Sequence, residues 1–472
     1  MRGLVRVGIA LLALAPAAAR AEDDADLIPQ GVLDAQGPPT PAPGRAQAPL
    51  PSPVWHSKIF AEEAFSLWSP AGRVPVPYPP SLSVAWQNRT SLDASIQLRP
   101  KSWLVLNLSD RLNVFEQPQQ AFVSSNTLRN DLREASMTWE PAGDYYLEAG
   151  RINVRNGAAL GFNPTDFFKA RSLVGQASLD PSVIRQNRLG ALLVRAQALW
   201  AWGSSSVVYA PKVSEPSPVN DDHPVGVDPR FTATNAAHRV LCTLSLELLD
   251  LSPQLLGYFE LHRSKVGVNV THAIGSAVVA YAEWAVGPEQ TLSARAAAFG
   301  RRTGTLPPST PDLLATEAGV ALRNDVAAGF SWTVATAVTF NVEYHFHQAG
   351  FTRRDWQRWF ELGSAAHAPA ALTNALWFVR GFASDQQEPI SMHQMFVRAA
   401  WPRAFTPDLE LGAFAFINLF DGSALSQLSA SYYVSDAWTA SAYVSANIGA
   451  ERSEHGSFPQ RGSLILQATR YF

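Results

Sequence analysis

The sequence predicts an all-β protein, a transmembrane antiparallel β-barrel of about 16–18 strands, on three observations. From about Ser83 the chain runs in short segments that alternate in polarity and are broken by turn residues. Aromatic residues recur near the segment ends, and the chain itself closes on an aromatic residue, Phe472. No stretch after the N-terminus is long and apolar enough for a membrane helix, which needs about 18 residues or more; the most apolar run, 189–202, is interrupted by Arg195.

The alternation is clearest in three segments. Around Val240 one face carries Val240, Cys242, Leu244, Leu246 and Leu248, and the other Arg239, Leu241, Thr243, Ser245 and Glu247. The run 333–346 sets Val338, Phe340, Val342, Tyr344 and Phe346 against Thr339, Asn341, Glu343 and His345, and the run 438–448 repeats the pattern. A soluble sandwich also alternates. The number of segments and their decoration favour the barrel: Trp86, Trp103, Trp139, Tyr145, Trp200, Tyr209, Trp284, Trp332, Trp401, Tyr432, Trp438 and Tyr471 fall where two interfacial girdles would lie.

About seventeen or eighteen segments fit, among them 83–98, 103–114, 315–323, 332–346, 374–384 and 463–472. Long connections fall at about 115–130, 153–188, 211–237, 288–314 and 347–372, short ones at 251–253 and 435–437. With both ends on the short-turn side, this count puts long connections on both sides. At least two strands are therefore miscounted, one before residue 115 and one after 347, and sixteen strands repair the parity as well as eighteen do.

The first residues read as an export signal: Arg2 and Arg6, the apolar run 7–15, and Ala19-Arg20-Ala21 before Glu22. Three regions follow: a signal peptide over 1–21, a Pro-rich periplasmic arm and lead-in over 22–80, and the barrel over 81–472. Closely spaced prolines from Pro38 to Pro53 make the arm polyproline-like. Residues 55–80 are open between plugging, capping and extending the barrel.

Composition narrows the function. The chain is 10% aromatic and 16% charged, with 14 Trp, and it carries one cysteine, which excludes an intramolecular disulfide. A net charge of −3 gives no ground for a nucleic-acid partner. Low charge with many aromatics suits an apolar belt against outer-membrane lipid.

If the apolar faces meet lipid, alternation turns Arg89, Asp93, Arg111, Arg195, Arg239, Glu260, Glu283, Arg323, Glu343, His345, Arg398 and Gln427 inward, because a charge at mid-bilayer is costly. Both signs occur, so the lumen is a mixed ladder. The connection 151–188 contains Gly157, the turn Asn163-Pro164-Thr165-Asp166 and a short helix expected from Thr165 or Asp166 through Phe167, Phe168, Lys169 and Arg171. Folded into the tube, it would bring Arg151, Arg155, Asp166, Lys169, Arg171, Arg185 and Arg188 to a constriction; an ordinary packed outer loop is the alternative.

A family resemblance rests on these residues. Glu148-Ala149-Gly150-Arg151, then Gly157 and Gly161-Phe162-Asn163-Pro164-Thr165-Asp166-Phe167, resembles the segment of proteobacterial porin-like barrels in which a Gly-Arg strand end leads into an Asn-Pro-x-Asp loop. The strand ending in Phe472 resembles the signal read by the barrel-assembly machinery, with Arg470 departing from its commonest form. The resemblance implies an outer-membrane channel for small solutes, a monomer or a trimer, with neither catalysis nor a cofactor. A partner-gated export or assembly component of the envelope is the alternative.

Enzyme and metal readings are weaker. His393 with Ser391 or Gln394 is the nearest approach to a lipase-like group, and His345 with His347 lacks a third metal ligand. The segment 353–362 reads as an amphipathic helix that rests on the membrane rim, covers the mouth or packs on the barrel.

Overall fold

The computed structural model describes residues 54–472 apart from 79–84, 118–127, 219–227, 249–250, 262, 313, 315–318, 336 and 366–367. The export signal and the proline cluster lie outside the described residues. Eighteen strands form one sheet: β1 (Val54–Pro70), β2 (Trp86–Lys101), β3 (Leu104–Glu116), β4 (Leu128–Ala142), β5 (Tyr145–Ile152), β6 (Ala191–Trp200), β7 (Gly203–Ala210), β8 (Arg239–Leu246), β9 (Leu251–Glu260), β10 (Lys265–Ile274), β11 (Val278–Glu289), β12 (Ala321–Thr333), β13 (Thr339–His347), β14 (His393–Trp401), β15 (Leu409–Asn418), β16 (Ala424–Ser435), β17 (Trp438–Ile448) and β18 (Gln460–Tyr471). Each pairs antiparallel with its neighbours in sequence, and β1 closes the tube against β18, with Phe60 opposite Tyr471 and Leu67 opposite Leu464. Closure leaves no unpaired sheet edge.

Side chains obey the period of two. Phe65, Leu92, Leu108, Val194, Leu255, Val266, Phe330 and Leu428 are exposed on the outside, while Arg89, Asp93, Arg111, Glu283, Asn341, Glu343 and His345 are buried on the inside. Trp103, Trp139, Tyr145, Trp332 and Tyr432 ring the short-turn end, and Trp86, Tyr209 and Trp284 the other. Tyr471 is a correction to the expected girdle: it lies opposite Phe60 with ring centroids 5.7 Å apart and faces inward. The single cysteine, Cys242, is exposed on the outer face, as its alternation requires.

Three element assignments change. Residues 54–70, expected within the lead-in, form β1, so the barrel starts before residue 81. Their alternation is blurred because Phe60 points in and Glu63 points out. Residues 374–384, read as a strand, lie in a helix, where a short apolar run has the same composition as a buried strand. The run 332–346 breaks at a turn around Ala337, whose φ is 63°, and splits between β12 and β13; β12 begins at Ala321, inside the expected segment 315–323. Gaining β1 and losing 374–384 is the compensation that the loop lengths demanded. The long connections after β1, β3, β5, β7, β11, β13 and β17 now share one end of the tube with both termini at the other.

Among the described residues five helices interrupt the long connections: α1 (Pro181–Gln186), α2 (Phe231–Thr234), α3 (Leu292–Thr303), α4 (Arg353–Gly363) and α5 (Ala370–Gln386). None is long and apolar enough to cross a membrane. Thr352 and Asp355 cap α4 reciprocally. Its aromatic face packs inward: Trp356, Trp359 and Phe360 share a core with α3, α5, Val76, Leu314 and Phe351, so α4 caps the long-loop end by protein contact. At the centre of this cap Arg380 is enclosed by the rings of Trp377 and Phe458, 4.8 and 4.1 Å from their centroids, and donates to Ser457 Oγ and Glu454 O at 2.9 and 2.7 Å. Burial lowers its guanidinium to about 10, still charged at neutral pH.

Trp359 is fully buried in the cap and donates Nε1–H to Leu376 O at 3.1 Å. Trp359→Ala is expected to cost the cap about 3–5 kcal/mol and expose residues 353–386 to protease. The barrel should still migrate faster unheated than boiled in detergent gels, because the cap core lies outside the strand ladder.

Candidate functional site

Residues 153–190 leave β5, cross the tube and return to β6. Their path is fixed by lumenal groups on the far wall. Glu283 of β11 accepts from Ala159 N at 2.7 Å and from Thr165 Oγ1 at 3.0 Å, and Thr165 also bonds Asn269 of β10 at 2.7 Å. Glu343 of β13 accepts from Leu160 N and Gly161 N at 2.6 and 2.9 Å, from Tyr281 Oη at 2.7 Å, and pairs with His345 Nε2 at 2.8 Å. Buried amides need such partners, and two carboxylates projecting from the wall supply them. Gly157 has φ 85°, and a Cβ there would meet Glu283 Oε1 at 2.3 Å, so both backbone and space require glycine.

The loop then touches other walls. Phe167 stacks on Tyr258 of β9 at 4.7 Å, and Arg239 of β8 lies 4.4 Å above the Phe168 ring. Leu179 N bonds Gln427 of β16 at 3.0 Å, and Asp180, the N-cap of α1, pairs with Arg398 of β14 at 2.7 Å. From above, Arg171 pairs with Asp385 of α5 at 3.1 Å. The loop is thus held across the bore from β8 to β16.

The helix expected from Thr165 is replaced by turns. Asp166 is spent elsewhere: its carboxylate pairs with Arg188 at 2.9 Å and lies 3.8 Å from Arg185, and the helix of this segment is α1. Lys169 donates to Asn163 O at 2.6 Å with Nζ 4.2 Å above the Phe162 ring. Desolvation within this fold lowers its amine to about 8 against the pull of Glu388 and Asp166, leaving it a cation at neutral pH. Arg155 is half-buried in the same loop.

The expected residues therefore fall into groups. Asp166, Arg185 and Arg188 form one ion cluster, and Glu283 and Glu343 grip the loop tip. Arg151 is taken up by Gly190 O and Pro229 O, Arg239 also by Thr234 O, Glu260 by Tyr258 Oη and Arg195 by Glu148, so these four brace walls and connections. Of the ladder facing α1, Arg89, Asp93 and Arg111 point inward as alternation predicts, while Glu62 and Arg133 were missed from the sequence: Glu62 holds Arg89 and Arg111, and Asp93 holds Arg133 at 2.5 Å. Arg133 also donates to Asn187 at 2.9 Å. Glu62 was hidden in the lead-in, while Arg133 stands beside a bulge opposite Ser109 and Asp110 that disturbs the alternation. Between this ladder and the loop lies a cavity of about 450 Å³, lined by His56, Lys58, Gln97, Asn107, Arg133 and Arg188 among others.

The lipase-like group does not assemble. Ser391 is buried and bonded to Trp356 Nε1 and Glu454, whereas His393 bonds Tyr344 Oη at 2.7 Å. His347 pairs with Asp325 at 2.7 Å, and no group of three or more metal-ligating side chains is found among the described residues.

Glu343→Ala should strip the loop tip of two amide acceptors, at about 1–3 kcal/mol for each buried amide left unpaired. The outcome expected is faster protease cleavage within residues 153–190 of the detergent-folded protein while the barrel stays heat-modifiable; cleavage at the parental rate would exclude a pinning role.

No protein-family model matches the chain, and no curated protein matches it. Solved structures do. A BenF-like porin from Pseudomonas fluorescens Pf-5 superposes with a TM-score of 0.52 at 8% identity, over 89% of this chain and 98% of that one. OccAB4 of Acinetobacter baumannii gives 0.51 and OccK5 (OpdH) of Pseudomonas aeruginosa 0.50, each at 8% identity with the same coverage of 89% and 98%. The chain shares the closed barrel fold of these porins.

Proposed function

We propose that this chain is an outer-membrane porin through which small hydrophilic solutes pass down their gradients. The observation that carries this reading is the segment 153–190, drawn into the bore and fastened there by Glu283, Glu343, Asp180 and Arg398. An apolar outer wall between aromatic rings fits a bilayer, and a polar interior fits water.

The passage runs along the cavity beside α1. There Lys58, Arg133 and Arg188 face Gln97, Asn107 and Glu134. Both guanidinium groups are already paired, Arg133 with Asp93 and Arg188 with Asp166. A solute that gives up part of its hydration shell meets fixed donors and acceptors in exchange, and charges of both signs set the selectivity of the narrow section. No covalent step is involved.

Purified protein should give discrete conductance steps in planar bilayers. Lys58→Glu should move the reversal potential under a salt gradient toward cation preference, with Lys58→Gln between it and the parent. A folded, heat-modifiable barrel without conductance would reject the channel; equal reversal potentials in all three would remove the cavity from the path.

A further inference from the structure

The inner wall is not polar in the same way all round. Where β1 to β3 carry the ion ladder of Glu62, Arg89, Asp93 and Arg111, the inner faces of β15 to β18 on the short-turn side of the loop carry hydroxyls and rings. Among the described residues Glu410 is the one charge that these four strands turn inward on that side, and it accepts from Tyr433 Oη at 3.2 Å.

Parity decides which rings are inside. Tyr432 lies opposite Leu409 and Ala440 on the lipid side, so the next residue, Tyr433, points into the bore opposite Thr439. Tyr443 lies opposite Ser429 and Ile465, and Tyr471 opposite Phe60 with 5.7 Å between ring centroids. Register orders the rings along the wall. Tyr471 is two residues past Thr469, which faces Thr439, and Tyr443 is four past Thr439, six residue steps in all, or about 20 Å along the strands. At the inner end Tyr443 packs against Ala64, Ile465 and Ala177 of the loop. The rings thus form a lane from the short-turn mouth to the loop.

Between the rings stand Ser431 and Ser441, whose hydroxyls bond each other at 2.9 Å, and Thr469, which accepts from Gln467 Nε2 at 3.1 Å. β1 joins the lane to the cavity beside α1, since Phe60 and Lys58 share its inner face. Tyr433 is 41% exposed on this inner side, an apolar ring open to the water of the bore. Water solvates such a face poorly, and its negative quadrupole attracts C–H groups laid on it. The neighbouring hydroxyls both donate and accept, so they replace the water around a neutral polar group without a counter-charge. An ion gains nothing equivalent there, because no opposite fixed charge offsets the loss of its hydration.

We propose that this lane binds short uncharged saccharides, whose rings present C–H faces and a rim of hydroxyls, and that these are solutes the channel prefers; the inference rests on the channel reading above. A lane of this length engages more than one sugar ring at a time. The charged wall across the bore then serves ions, and the two solute classes pass along different sides.

The test uses the purified full chain in planar bilayers and in liposomes. Raffinose, a neutral trisaccharide, should reversibly block the ion current of single channels, and glucose should swell liposomes faster than sorbitol, which is equally uncharged and of similar size but has no ring face. Tyr433→Ser should weaken the raffinose block about fivefold, while Tyr433→Phe, which keeps the ring, should block like the parent. Conducting parent channels that raffinose does not block, or sorbitol entering as fast as glucose, overturn the proposal without any variant. A block of equal strength in folded Tyr433→Ser also overturns it. Absence of both conductance and swelling in a folded, heat-modifiable barrel would instead overturn the channel reading itself.

Discussion

Closure of the sheet is the constraint on which the rest depends. In a medium without water each strand N–H and C=O must find a partner in the neighbouring strand, so an open edge is not tolerated and the first strand must meet the last. Here that seam is the pairing of β1 with β18, and its register runs without a break from Phe60 to Ser69. Once the tube is closed, the period of two divides every strand into an outer apolar set and an inner polar set. The inner set then has to be satisfied by something other than lipid.

Much of that satisfaction comes from the chain itself. Glu283, Glu343, Gln427 and Arg398 stand on strands distant in sequence, yet all bond the one connection between β5 and β6. The loop brings backbone amides to carboxylates that would otherwise need water, and the carboxylates hold a glycine-containing stretch in a path it would not keep alone. The ion ladder of Glu62, Arg89, Asp93, Arg111 and Arg133 fills the opposite wall. The path of residues 153–190 is therefore a property of the loop and the wall together. Above it, the aromatic cap around Arg380 ties several long connections into one core and reaches the loop through Asp385.

The legible part of the sequence was what period and position control. Most strands were found, as were the outward Cys242, most of the girdles and the amphipathic α4. The failures have local causes. In β1, Glu63 on the outside and Phe60 on the inside erase the alternation, and the seam that places them is a contact between the two ends of the chain. In α5, Trp377, Phe378 and Val379 form an apolar run that fits a buried helix as well as a strand, and only packing against α3 and α4 decides between them. The expected cap at Asp166 gave way to ion pairing with Arg188, a competitor invisible to local rules.

By itself the sequence determined the architecture: alternating segments with aromatic ends, uneven loops and no apolar helix leave few structures other than a membrane barrel, because side-chain direction in a strand follows from residue parity. It also marked the segment 153–188 as special through its glycines, its Asn-Pro turn and its arginines. Tertiary structure alone decided which arginines would meet which carboxylates and which would brace a wall. Those pairings join residues far apart along the chain, and their distances depend on the curvature and register of a closed sheet that no local pattern encodes.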